Sequence, residues 1–193
     1  MSDYAEVWAA ARPYMRARKN DVHVPLSFGY AERLLGACPE ADADVVLLGI
    51  LLHDIGWAVV DQEAIYRDGF GPGMMESDVR IAHEKEGARL ARAILEPLGY
   101  AASLVDEVAA IIDGHDTRAR ALSHNDELVK DADRLWRFSV TGVSVACDWF
   151  ALTPREYAER LVEQFALFFT PVAEEIARAE LSETRRALRI EDL

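Results

Sequence analysis

Apolar residues recur at three- and four-residue spacing along most of the chain, the period of helices that bury one face. Tyr4, Val7, Trp8 and Ala11 predict a first helix over 3–18, kinked or divided at Pro13 and closed by the basic residues Arg16, Arg18 and Lys19. His23 and Pro25 follow in a short connecting stretch. Leu26, Tyr30 and Leu34 predict a second helix over 27–36, stopped by Pro39, and Asp42 or Asp44 can cap the next one. That segment, VVLLGILLHDIG, is apolar nearly all round, the pattern of a central buried helix, with Gly56 as its natural end. VVLLGILL also suits a buried strand, but its neighbours are helical and no hairpin or βαβ rhythm appears.

The stretch 60–77 breaks the period. YRDGFGPGMMES holds three glycines and a proline and reads as a loop able to cover a pocket. Helices follow over 78–95 and 102–114, separated by Pro97 and Gly99. After a polar turn over 115–124, a helix over 126–138 continues through an irregularity at Gly142 to about residue 152. Thr153-Pro154 and Thr170-Pro171 are start signals for two last helices, the second ending near Arg189. Phe165, Phe168 and Phe169 belong either to the core or to a homodimer face. With no repeat, low-complexity tract or linker, the expectation is one all-α helical domain over 1–193.

Composition narrows the partners. At 193 residues, 51% hydrophobic and 28% charged, the chain suits one folded core. A formal net charge of −13 repels nucleic-acid polymers and anionic membranes, although a metal pocket can still create a local field for an anionic substrate. Cys38 and Cys147 form no C-x-x-C pattern and no disulfide framework, and MSDYAEVW has no leader pattern, so a reducing cytoplasm is expected.

The chemistry gathers at the histidines. The most apolar helix ends in the doublet His53-Asp54, two metal-ligating types beyond a hydrophobic run. His23, His83 and His115 each lie at or near a predicted helix, whereas His124, in LSHND, reads as loop or helix-start chemistry. Asp133 falls among Leu128, Val129, Ala132 and Leu135, where a carboxylate needs a partner or a metal. Imidazole and carboxylate together suit Mn, Fe, Co, Ni, Zn or, with more carboxylates, Mg. Each residue also has a plainer reading: His53 as a core or capping residue, His83 as a surface residue among Glu84, Lys85 and Glu86, His115 as a cap after Gly114.

The order His23, His53-Asp54, Asp133, with the local contexts LLHDIG and KDADRL, resembles the HD-domain superfamily over about 22–136. The resemblance implies a helical bundle around a metal, with the C-terminal helices of 137–193 packing on it. It also implies hydrolysis of phosphate esters, on nucleotides or other small phosphorylated molecules, by a metal-activated water. His83 and His115 extend the likeness to two-metal members. Metal one would then take His23, His53, Asp54 and Asp133, and metal two His83 and His115, with Asp54 bridging; iron or manganese leads the candidate ions. One branch of the superfamily performs di-iron oxygenation with the same ligands, and a non-catalytic regulator is the third possibility. Trp57 stands where many two-metal hydrolases have lysine, and no G-Y-P follows His115, which speaks against cyclic-dinucleotide hydrolysis. Lys85 and Arg118 are the first candidates to clamp phosphate, ahead of Arg80 and Arg134. Asp116 and Asp131 are candidate partners that orient a histidine.

Overall fold

A computed structural model of the chain describes residues 4–68 and 77–190, and among these every regular element is helical. The α-helices are α1 (Ala5–Ala11), α2 (Asn20–Ala37), α3 (Ala43–Leu52), α4 (Gln62–Asp68), α5 (Asp78–Leu95), α6 (Ala102–Ile112), α7 (His124–Leu135), α8 (Val140–Phe150), α9 (Pro154–Glu163) and α10 (Pro171–Ala187). No described helix is long and apolar enough to cross a membrane.

The all-round apolar character of α3 puts it at the centre. Asp42 caps it by accepting from the Asp44 and Val45 N–H groups, and every residue from Val45 to Leu52 is buried. Around it pack α2, α6 and α7, while α5 lies against α6 and the short 3₁₀ turn Ile55–Ala58 that follows α3. The apolar residues of α8, α9 and α10 join the same hydrophobic cluster as those of α2, α3, α6 and α7, whereas Ile65 of α4 packs with Trp57 and Val79. Their docking is fixed by Asp131, whose carboxylate accepts from the Phe169 and Thr170 N–H groups and from the Thr170 hydroxyl. Phe165 is buried and stacked on Phe138, on the core side of the two readings offered for that stripe.

Several elements depart from expectation. The first helix ends at Ala11 and Pro13 lies in a separate 3₁₀ turn, Arg12–Tyr14. His23 is not in a connector: α2 begins at Asn20 and carries Pro25 inside it. Pro25 is exposed in the second turn, where it removes only the bond to the Asp21 carbonyl, so the helix tolerates it. The stretch after Val60 contains α4 before the glycine-rich part, 69–76, which lies outside the described residues. The helix through Gly142 is two helices. Ser139 leaves the helical conformation and caps α8 through the Gly142 N–H, and Gly142 is needed because a Cβ there would overlap the Trp136 carbonyl.

Candidate metal centre

His23 sits in the first turns of α2, His53 is the C-cap of α3 and Asp54 the residue beyond it, His83 lies in α5, His115 follows α6, and Asp133 is in the last turn of α7. Six side chains from five segments therefore meet at one end of α3. The approach of α5 depends on Gly56, where a Cβ would overlap the His83 carbonyl oxygen.

The six form two groups that share one carboxylate. In the first, His23 Nε2 lies 2.8 Å from His53 Nε2, 3.2 Å from Asp133 Oδ1 and 3.5 Å from Asp54 Oδ2. His53 Nε2 is 3.5 Å from Asp133 Oδ1 and 3.7 Å from Asp54 Oδ2. In the second, the other oxygen of Asp54, Oδ1, is 3.6 Å from His83 Nε2 and 3.5 Å from His115 Nε2. Asp116 Oδ2 joins this group at 3.7 Å from His83 and 3.9 Å from His115. Asp116 thus stands at ligand distance rather than behind a histidine, while Asp131 serves the C-terminal helices instead.

The hydrogen bonds behind the rings fix which nitrogen faces inward. His53 Nδ1 donates to the Ile50 carbonyl at 2.7 Å and His115 Nδ1 to the Ile112 carbonyl at 2.9 Å, so in the neutral rings both Nε2 atoms point lone pairs at the carboxylates. His23 Nδ1 meets Ser27 Oγ at 3.2 Å. Among the described residues neither ring nitrogen of His83 makes a hydrogen bond although both are buried; the ring stacks on Trp57, with centroids 3.8 Å apart. Lone pairs of imidazoles and carboxylates converging in a buried site are unfavourable unless a cation lies between them. The donor set, nitrogen and oxygen in both groups, fits a divalent metal.

Charge is redistributed accordingly. Burial opposes ionisation of Asp54 and Asp133, yet the surrounding imidazoles hold both carboxyl groups well below the usual range. Burial also pulls the His115 imidazole down, but the carboxylates of Asp116 and Asp54 overcome it and push it up to about 9. At His83 burial wins and the imidazole is shifted toward the neutral form.

The HD-domain family model matches residues 23–137, more than half of the chain and all six ligand positions. The chain belongs to the HD-domain family. Neither curated proteins nor solved structures gave a match. In this HD domain, buried polar residues hold the loop after His115 in place. Glu84 accepts from the Asp116 and Thr117 N–H groups and from the Thr117 hydroxyl. Lys130 donates to the Gly114, His115 and Arg118 carbonyls. Arg80 is buried and bonded to Asp116. On the other side of the HD motif, Asn20 donates to the Asp54 carbonyl and Trp57 Nε1–H to Asp54 Oδ1 at 2.9 Å.

The HD centre opens into a cavity of about 450 Å³. Its floor includes His23, Asp54, His115, Asp116 and Asp133; its walls carry Arg18, Arg80, Arg134, Arg137 and Arg160 with Trp57, Trp136, Trp149, Phe150 and Tyr157. The sequence candidates Lys85 and Arg118 do not line it. Lys85 is exposed on α5, and Arg118 is bound to the Ala110 and Asp113 carbonyls and paired with Asp126. His124 is likewise elsewhere, at the start of α7. Arg18 and Arg137 escaped the reading of the sequence. A signal for Arg137 exists: it falls four residues after Asp133, on the same helical face. Arg18 is presented by a pair of left-handed residues, Arg18 and Lys19 (φ 50° and 61°), a conformation no periodicity announces. A wider surface groove lined by Phe165, Arg178 and Arg185 contains none of these ligands.

Proposed function

We propose that this HD domain hydrolyses a small phosphate ester, a nucleotide being one candidate, with two divalent ions held by His23, His53, Asp54, Asp133 and by Asp54, His83, His115, iron or manganese being the best-suited ions. The observation that carries this reading is the gathering of five arginines around one cavity in a chain of net charge −13. Such a local excess of cations over a nitrogen–oxygen ligand set suits an anion that spans the metals and the wall. Bound ions would supply an acidified water and offset charge on the phosphoryl oxygens.

The chain's own residues divide the remaining work. Asp54, one oxygen toward each group, sets the separation of the two halves. Arg80 is committed to Asp116, and Arg134 donates to the Leu167 carbonyl, so these two shape the wall. Arg137, on the cavity wall 3.8 Å from Asp133, takes the clamping role assigned from sequence to Lys85 and Arg118. Arg18 lies over Trp57, 4.4 Å from the ring centroid, and 5.5 Å from that of Trp149, which holds its guanidinium at the cavity wall. Trp149, Phe150 and Tyr157 form an apolar wall for the organic part of the ester.

The test is phosphate release from a panel of small phosphomonoesters by protein stripped of metal and reloaded with Mn²⁺ or Fe²⁺. Release that requires metal, with kcat/KM lowered about 10-fold to 100-fold in Arg137→Met, is the expected result. Oxygen consumption by the iron-loaded protein without phosphate release overturns hydrolysis in favour of the oxygenase chemistry.

A further inference from the structure

A second cluster of ligating side chains lies away from the HD centre, where the turn after α2 meets the start of α7. Cys38 is the C-cap of α2 and is buried; Glu40 follows in the turn; His124 is the first residue of α7. The Cys38 sulfur, one Glu40 oxygen and one His124 nitrogen all lie within 4.8 Å of one another.

The hydrogen bonding of His124 makes this more than proximity. Its Nδ1 is 2.9 Å from Glu127 Oε2; in the neutral ring that nitrogen carries the proton, which leaves Nε2 as a lone-pair donor. Nε2 is buried and lies 3.1 Å from Glu40 Oε1, an ion pair when the ring is protonated and two facing acceptors when it is neutral. Imidazole nitrogen, carboxylate oxygen and sulfur therefore face one another, and loss of the thiol proton to a bound cation would leave three lone-pair donors converging on one point. A carboxylate behind the far nitrogen of a histidine is also the arrangement that orients a metal-binding ring.

We propose that Cys38, Glu40 and His124 form a separate site for a zinc-class divalent cation, oriented by Glu127. One thiolate, one imidazole and one carboxylate suit a borderline-soft ion with a fourth position left to solvent. The site tightens a seam that already exists: the Asp42 N–H donates to Asn125 Oδ1, and Asn125 Nδ2 to Glu107. A metal there would fasten the end of α2 to the start of α7, the two helices that carry His23 and Asp133. Its role is structural, and it does not depend on which reaction the HD centre performs.

Cobalt is the probe, because among the described residues no cysteine lines the HD cavity and only this site can give a thiolate-to-cobalt charge-transfer band. The full-length chain carrying Asp54→Asn, which disables the HD centre, is stripped with chelator and titrated with Co²⁺. The expected result is a near-ultraviolet band that saturates at one ion per chain and is displaced by Zn²⁺. It disappears in Cys38→Ser, persists in Cys147→Ser, and needs roughly 10-fold to 100-fold more cobalt in Glu127→Gln. If Cys38→Ser does not fold, His124→Gln at the helix start gives the same reading. No band at any loading, or a band that survives Cys38→Ser or His124→Gln, overturns the site and leaves His124 as an ion-paired surface residue.

Discussion

The two halves of the HD centre use the same kinds of ligand but not the same electrostatics. Around His23 and His53 the inward oxygens, Asp54 Oδ2 and Asp133 Oδ1, face imidazole nitrogens, and Arg137 stands 3.8 Å from the far oxygen of Asp133. Around His83 and His115 both oxygens already accept hydrogen bonds: Asp54 Oδ1 from the Trp57 indole, Asp116 Oδ2 from Arg80. A carboxylate whose charge is shared with a guanidinium is a poorer ligand for a cation. The comparison teaches that ligand type alone does not rank two metal sites, and it predicts that the first half fills before the second.

The largest effect is expected at the residue both halves share. Asp54→Asn removes one negative charge from each group at once. Elemental analysis should find both ions lost, and turnover should fall on the order of a thousandfold or more, since metal-centred charge stabilisation is worth several kcal/mol. Retention of the ion at His23 and His53 would break the idea that Asp54 joins the halves.

Next comes a direct contest between the two private carboxylates. In wild-type protein a chelator-competition titration should show a tight step and a weaker one. Asp133→Asn should abolish the tight step. Asp116→Asn should spare it and weaken the second ion by about 10-fold to 100-fold, because Asp116 is already compensated by Arg80 and contributes less than a full ligand. Equal losses from the two variants would mean that Arg80 does not discount its partner, and the ranking of the halves would fail.

The floor of this site was legible because each ligand sits beside a periodic apolar run. His53-Asp54 ends a helix that is apolar on every side, and Asp133 interrupts the buried stripe of α7, so both carry a local signal. Helix α5 was legible to its boundaries for the same reason. His83 also shows how the misses arose. Arg80 and Gly87 lie three and four residues away on its buried face, whereas Lys85, two residues on, is turned about 200° round the helix. Choosing Lys85 over Arg80 weighed nearness along the chain above nearness in space. The walls were illegible for a deeper reason. Arg18, Trp149, Tyr157 and Arg160 reach the cavity by tertiary packing of segments outside the matched 23–137, and an arginine facing a pocket carries the same local pattern as one facing water. Pro25 misled in the opposite direction, because a proline at an exposed second turn looks like a breaker only until its missing bond is counted.

The smallest effect should come from Trp57, and it separates the two oxygens of Asp54 most finely. Trp57→Phe keeps an aromatic ring against His83 but deletes the indole N–H that holds Oδ1. Thermal or urea unfolding should show a loss of about 0.5–1.5 kcal/mol, the worth of one intramolecular hydrogen bond. The second ion should weaken by roughly tenfold, the low end of the cost of losing an outer partner of a metal ligand, while the first step of the titration stays where it was. That asymmetry follows from geometry: the indole touches the oxygen that faces His83 and His115, not the one that faces His23 and His53. If both steps move together, Asp54 responds as a rigid whole, and the difference between the halves rests on Arg80 and Asp116 alone.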